Sequence, residues 1–443
     1  MRRALAILAV AASLGARTVA AGSPAADAAG GAPAEGAVAG PTTGLDLRAD
    51  LSFSSFGERF SIVEKDSLEV SNELQLGLTL RWSGRLAGGL FEGENRLASS
   101  QNSANNTLRF AYRRDLLRSL RLRVTNETAA RDYLPGSDFT YSNDYLRERL
   151  VLDLEDELAR RVSLGLRGEL DATFFRERSE FDYDFTRGDA GLRFEVDLGL
   201  AGFLRAGLDY GRQRVPDSTA IDYRRWRPAL ELFHVFGRSS RVSLEVFSER
   251  RSYDDPAVRP DFWRHDARAD ARLDLVPGWS LAARSELELE RYQSPDPVYF
   301  NSLRTRGGIG VERRVGTGAT LGLVPYVTVL TSDSEPAEEY RQISAEVTLE
   351  VLGLESLWLD GKYELGTRDY RKDTAGDGEA LTFLDDSAVY SDFLFHHVSL
   401  FCTYEASPRW SLSLFGSYEP ENHDREVDDV AAALLTLEAS YRF

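Results

Sequence analysis

The chain contains one cysteine, Cys402, in 443 residues. That excludes an intrachain disulfide framework. Lysine is nearly missing: Lys65, Lys362 and Lys372 are the whole set, and every other base is arginine. Histidine is sparse, with only His234, His265, His396, His397 and His423. His396 and His397 are adjacent, so in a strand their rings leave on opposite faces and make a poor chelate. His265 falls on an apolar face beside Trp263 and reads as interfacial. No motif ties a serine to a histidine. Asp373, Asp377 and Glu379 lack the spacing of a calcium-binding EF-hand loop and read as a solvated acidic loop. The expectation is a protein that is not an enzyme, with no catalytic residue, no metal ligand and no cofactor. Beyond the N-terminus no apolar run is long enough for a transmembrane helix. Bases are the minority sign: 53 Lys and Arg stand against 71 Asp and Glu, a formal charge of −18. No nucleic-acid partner is expected, because a phosphate backbone wants the opposite sign.

What is present begins with Met1, Arg2 and Arg3, an apolar run from Ala4 to Leu14, and the small residues Val19, Ala20 and Ala21. This is the pattern of a secretory signal peptide over 1–21. No cysteine follows it, which argues against a lipoprotein anchor. Residues 22–43 are Ala, Gly and Pro with Asp27 and Glu35. That composition builds no core and reads as a flexible tether. Residues 44–443 remain as the folded domain.

Period-two alternation dominates that domain. Leu281, Ala283, Ser285, Leu287 and Leu289 share one face, and Ala282, Arg284, Glu286, Glu288 and Glu290 share the other. Val162, Leu164, Leu166, Leu170 and Phe174 alternate in the same way with Ser163, Arg167, Glu169 and Asp171. Arg264, Asp266, Arg268, Asp270, Arg272 and Asp274 alternate with His265, Ala267, Ala269, Ala271, Leu273 and Leu275. Successive side chains of a strand point to opposite faces, whereas a helix would mix the two sets. About twenty such segments run from 44–55 to 429–443. The weakest are 105–114 and 219–236, the latter because Pro228 suits a central ladder position badly. If Pro228 marks a split or bulge, about eighteen strands is the alternative count. Connections alternate between short turns, as near 83, 159–160 and 277–278, and longer loops, as near 56–65, 97–104, 129–143 and 371–386. That alternation places both termini on the short-turn side.

The chain ends on Leu435, Leu437, Ala439, Tyr441 and Phe443, with Thr436, Glu438, Ser440 and Arg442 between them. An amphipathic last strand closing on an aromatic residue resembles the Gram-negative outer-membrane β-barrels, in the broad porin-like sense. The resemblance implies an all-β fold: a transmembrane antiparallel up-and-down β-barrel of about twenty strands with periplasmic termini. It implies the cell outer membrane as location, with the lipid bilayer and lipopolysaccharide as surroundings. It also implies that Tyr441 and Phe443 form the assembly signal read by the barrel-assembly machinery. Trp82, Trp279, Trp358 and Trp410 fall near short turns, as an aromatic belt at one rim would place them. An open sheet edge in hydrocarbon costs several kcal/mol per unpaired group, and closure removes both edges. A dry sandwich core would not hold the charged face unpaired.

The polar faces supply the candidate pore lining: Arg167, Glu169, Asp171, Arg268, Asp270, Arg272, Asp274, Arg284, Glu286, Glu288, Glu290, Glu346, Glu350, Asp360, Lys362 and Glu364. Their mixed signs predict Arg–carboxylate braces, and the acidic surplus predicts a weakly cation-preferring lumen. Three functions fit. The first is a pore for passive passage of hydrophilic solutes. The second is an export conduit for a secreted polysaccharide, with periplasmic export proteins as partners. The third is a sealed structural barrel scaffolding an envelope complex. TonB-dependent receptors carry a plug domain before the barrel, and the short stretch before residue 44 leaves no room for one. The loop at Tyr133, Leu134, Pro135 and Gly136 and the loop from Arg371 to Asp386 are the internal candidates for narrowing the lumen.

Overall fold

The computed structural model describes residues 44–62, 65–100, 103–133, 144–176, 183–237, 240–296, 298–334, 338–354, 356–370, 392–423 and 429–442. The signal segment 1–21, the tether 22–43, the loop stretches 134–136 and 371–386, and Phe443 lie outside them.

The described chain is almost entirely strand. The first ten are β1 (Gly44–Ile62), β2 (Lys65–Leu86), β3 (Gly89–Ser100), β4 (Ser103–Asp115), β5 (Leu120–Tyr133), β6 (Tyr145–Ala159), β7 (Val162–Phe175), β8 (Phe185–Asp197), β9 (Gly202–Arg214) and β10 (Tyr223–Phe236). The second ten are β11 (Ser240–Tyr253), β12 (Phe262–Val276), β13 (Trp279–Tyr292), β14 (Ser302–Val315), β15 (Ala319–Ser332), β16 (Tyr340–Leu354), β17 (Leu357–Tyr370), β18 (Phe393–Ser407), β19 (Trp410–His423) and β20 (Val430–Arg442). The described residues include two short 3-10 turns, Gly199–Ala201 and Thr219–Ile221. No helix among the described residues is long and apolar enough to cross a membrane.

Each strand pairs antiparallel with the next, so the fold is an up-and-down antiparallel sheet of the barrel type. β1 pairs with β2 on one side and with β20 on the other, from Arg48↔Arg442 to Phe60↔Val430.

Three local expectations differ from what is found. The segment expected to turn near 83 continues as β2 to Leu86, and the turn falls on Ala87 and Gly88 at φ +48° and +80°. That left-handed geometry suits glycine and gives a tight hairpin. The loops expected at 56–65 and 97–104 are mostly strand: β1 and β2 pair out to Ile62↔Lys65, and β3 and β4 out to Ser99↔Ala104. Their polar, serine-rich ends hide the alternation without preventing pairing. Pro228 neither splits nor bulges β10. It pairs in register with Leu208 of β9, while the β11 ladder is interrupted at Arg227 and Pro228 and resumes at Ala229↔Phe247. Proline lacks the N–H, so the ladder is lost on one side only.

The two faces of the sheet are inverted relative to a water-soluble protein. On β7, Leu170 is 61% exposed and Asp171 is 2% exposed. The same holds along the wall, where Leu166, Phe174, Leu192, Leu208, Leu323, Ile343, Leu365 and Leu437 lie exposed. Glu169, Asp266, Glu346 and Glu364 are buried on the opposite face.

Candidate functional site

The polar face is the concave one, and its ion pairs prove it. Neighbouring strands lie about 4.8 Å apart, so strands three apart are separated by roughly 14 Å of wall. Yet Arg284 of β13 reaches Glu346 of β16 at 2.6 Å, and Arg306 of β14 reaches Glu364 of β17 at 2.9 Å. Such contacts form only if the wall curves toward the face that carries them.

All sixteen candidate lining residues fall on this face, and most join two clusters. In the first, Arg147 donates to Asp171 through Nε at 2.9 Å and Nη2 at 2.7 Å. Glu169 accepts from Arg149 at 2.8 Å and from Arg167 at 3.0 Å, and Arg187 pairs with Asp189 at 3.0 Å.

The second cluster spans β12 to β17. Arg264 bridges Asp266 at 2.8 Å and Glu288 at 2.7 Å, with Glu290 at 3.7 Å. Arg272 pairs with Glu312 at 3.1 Å and donates to Ser280, which donates to Asp274 at 3.4 Å. Arg284 also lies 3.8 Å from Asp270. Glu346 and Glu364 stand directly opposite each other in the ladder. Lys362 separates their charges, at 2.7 Å from Glu346 and 3.6 Å from Glu364.

Glycines make this second cluster possible. Gly308 and Gly310 of β14 stand opposite Arg284 and Ala282. The Tyr326 ring lies over Gly308, where a Cβ would come within 2.5 Å of it. Across that floor Arg284 reaches the Tyr326 hydroxyl at 3.0 Å, and the Arg306 guanidinium stacks on the ring at 4.2 Å. Arg268, Glu286, Glu350 and Asp360 remain exposed on the same face with no ion-pair partner among the described residues. Just past the end of β15, Asp333 accepts from Arg291, which holds the Asp333 carboxyl below the usual carboxylate range.

Sequence reasoning missed a ring at the long-loop end. Tyr145 packs on Phe175, Tyr223 on Tyr253, Phe262 on Tyr292, and Tyr340 on Tyr370, all on the concave face. Arg251 lies over Tyr223 at 4.5 Å and Arg368 over Tyr340 at 4.4 Å. A legible signal was present: an Asp, Asn or Glu immediately before the strand that follows a long loop. Asp184, Asp222, Asp261, Asn301, Glu339, Asp392 and Asp429 each accept a backbone N–H at the end of the preceding strand or, for Asp222, from Val215 one residue past it.

On the outer face, Trp82, Trp279 and Trp410 occupy the short-turn rim as expected, with Trp410 packed on Tyr441 at 4.8 Å. Trp358 differs: it shares the parity of Asp360 and Lys362 and packs on Phe401 at 5.0 Å on the polar face. His396 and His397 diverge as expected, His396 to the Tyr363 hydroxyl at 2.8 Å and His397 to Glu419 at 3.3 Å. Among the described residues no group of three His, Cys, Asp or Glu side chains is placed to hold a metal ion.

A scan against protein-family models and a search of curated proteins each find no match. Solved structures do match. The siderophore receptor PirA from Pseudomonas aeruginosa aligns over 89% of this chain and 80% of its own, at 11% identity and a TM-score of 0.52. A mutant of the ferric enterobactin receptor PfeA from the same organism aligns over 91% and 81%, at 11% identity and a TM-score of 0.50. The fold is that of the outer-membrane β-barrels. At this identity the likeness carries the fold and not the ligand.

Proposed function

We propose that the chain spans the outer membrane as a closed barrel and serves as a hydrated pore for passive passage of small hydrophilic solutes, with both termini in the periplasm. The observation that carries this reading is the inverted wall: exposed leucines and valines outside, buried and braced charges on the concave side. Such a wall is stable where the outside meets lipid and the inside meets water. Pairing of β1 with β20 supports closure, since it leaves no strand edge to desolvate. The sixteen candidate residues then line the lumen. Barrels of about sixteen to eighteen strands hold aqueous channels and those of about twenty-two hold plugged ones, so a twenty-stranded wall encloses ample room.

The lattice of ion pairs consumes most of the charge of these sixteen. Among them Glu286, Glu350 and Asp360 are left exposed against Arg268, and with the chain's overall excess of acid, 71 Asp and Glu against 53 Lys and Arg, this favours a weak preference for cations. Tyr441 and Phe443 serve as the signal to the barrel-assembly machinery. Single-channel recording of the refolded full chain in a planar bilayer tests the reading. Steady conductance, with a reversal potential in a salt gradient of the cation-selective sign, is expected. A correctly folded barrel that passes no current overturns the open pore in favour of a sealed or partner-filled one.

A further inference from the structure

Charged side chains are rare on the apolar outer face, and Arg291 there carries its own carboxylate, Asp333. Four arginines clustered at the long-loop end of β9 to β11 do not. Arg212 and Arg214 of β9, Arg224 of β10 and Arg250 of β11 have no carboxylate at ion-pair distance among the described residues. Arg212 and Arg224 stand directly opposite each other in the ladder. Like charges so placed repel unless an anion lies between them. One register step toward the short turns, Tyr210 and Trp226 pack at 4.6 Å and Arg250 lies over Trp263 at 5.0 Å. Tyr and Trp mark the headgroup level. The guanidinium pair therefore sits at the loop-side margin of that level, where lipid phosphates are found.

A groove runs from these arginines across β8 and β7. Leu150, Leu170, Ala172, Thr186 and Gly188 line it, and Arg212 and Arg214 close one end. It continues along the strands past Leu152, Gly168 and Ala190. The depression exists because side chains are missing: a Cβ on Gly168 would meet nothing within 4 Å, and one on Gly188 only Leu170 at 3.5 Å. The acid on this face, Glu148, is held at the opposite edge, accepting from Thr128 at 2.6 Å and from Asn126.

We propose that this groove holds a phosphorylated glycolipid of the long-loop-side leaflet. Its phosphate sits among Arg212, Arg214 and Arg224, and an acyl chain lies over Gly168 and Gly188. The proposal rests on the outer-membrane reading above. Charge complementarity selects the occupant: unpaired guanidinium groups bind phosphate in charge-assisted, often bidentate hydrogen bonds. A free phosphate would leave the adjoining apolar trough empty, whereas a lipid fills both parts with one molecule.

The full chain, refolded in a zwitterionic detergent, is titrated with bisphosphorylated lipid A, with dephosphorylated lipid A and with inorganic phosphate, and bound lipid is counted by native mass spectrometry. Phosphorylated lipid A is expected to be retained. Retention should fall about tenfold or more for the dephosphorylated lipid and for the R212Q/R224Q double variant. It should be unchanged in R341Q, an outer-face arginine opposite Asp369. The lipid series on the unaltered chain requires no variant to fold. Equal retention of the two lipids, equal retention by the double variant, or displacement of lipid A by inorganic phosphate alone overturns the proposal. Insertion is scored separately, by protease protection in vesicles. A chain that does not insert overturns the outer-membrane reading, while one that inserts yet binds both lipids alike overturns only the groove.

Discussion

Gly310 shows how much of this wall is decided at single positions. A Cβ there would fall 2.0 Å from the Leu323 carbonyl oxygen and 2.6 Å from the Val324 Cα, both backbone atoms that cannot rotate away. Gly310→Ala should therefore lower stability by about 1–3 kcal/mol, the usual cost of forced overpacking. Gly307→Ala, on the same strand with nothing within 4 Å, should change it by less than about 0.5 kcal/mol. Urea unfolding in micelles measures both, and equal effects would mean that β14 and β15 do not approach so closely. Glu346 is 3% exposed and binds Arg284 and Lys362 together. Removing one partner of a buried pair costs about 3–5 kcal/mol. Arg284 and Lys362 keep about a third of their side-chain surface, so roughly 1–3 kcal/mol is expected for Glu346→Gln after allowing for solvent screening. A double-mutant cycle with Arg284→Gln should return a coupling of about 1 kcal/mol, and additive losses would deny the cross-wall contact.

At the scale of elements, the strands tolerate proline by surrendering one ladder and keeping the other. Pro325 pairs with Ala345 of β16 while the β14 ladder is interrupted between Gly308↔Tyr326 and Val311↔Leu323. Pro420 pairs with Ala431 of β20 while the β18 ladder is interrupted between Phe395↔Glu421 and Val398↔Tyr418. The long-loop hairpins are stabilised by a repeated device, the acidic or amide side chain that closes the loop onto the end of the previous strand. Asp261 accepts from the Tyr253 N–H at 2.8 Å, and its own carbonyl accepts from Gln293. Asp261→Ala removes the side-chain acceptor and should cost about 1 kcal/mol. Hydrogen exchange at the Tyr253 amide should quicken correspondingly while amides near the Val276–Trp279 turn do not change; unaltered exchange at Tyr253 would count against the role.

For the whole molecule, concavity joins structure to task. Side chains on strands three apart meet only inside a curved wall, so the same ion pairs that report the curvature also brace it. In the proposed pore, the acids outside that lattice would contribute to the potential that a permeating ion meets. Replacing Glu286, Glu350 and Asp360 together by glutamine should leave the fold intact, because all three are exposed and outside the ion-pair network. It should shift the reversal potential toward anions. An unchanged reversal potential would place the selectivity in the outer loops instead.

Period-two alternation by itself determined the strands, their two unlike faces and the candidate lining, because every residue of a strand reports its side by parity. The positions of turns within polar hairpins were not legible, since Ser83 and Gly84 read as a break while the ladder ran on to Leu86. Pro228 read as a possible interruption because a sequence does not say which side of a strand its missing N–H would face. Trp358 read as a rim residue because nearness to a turn does not specify the side. Which charges meet was decided only by tertiary structure. Arg284 and Glu346 lie 62 residues apart, and their contact depends on the bend of the wall and the glycine floor between them. The unpaired arginines of the outer face were hidden for the same reason: a lone Arg in an alternating segment looks like all the others until its neighbours on adjacent strands are known.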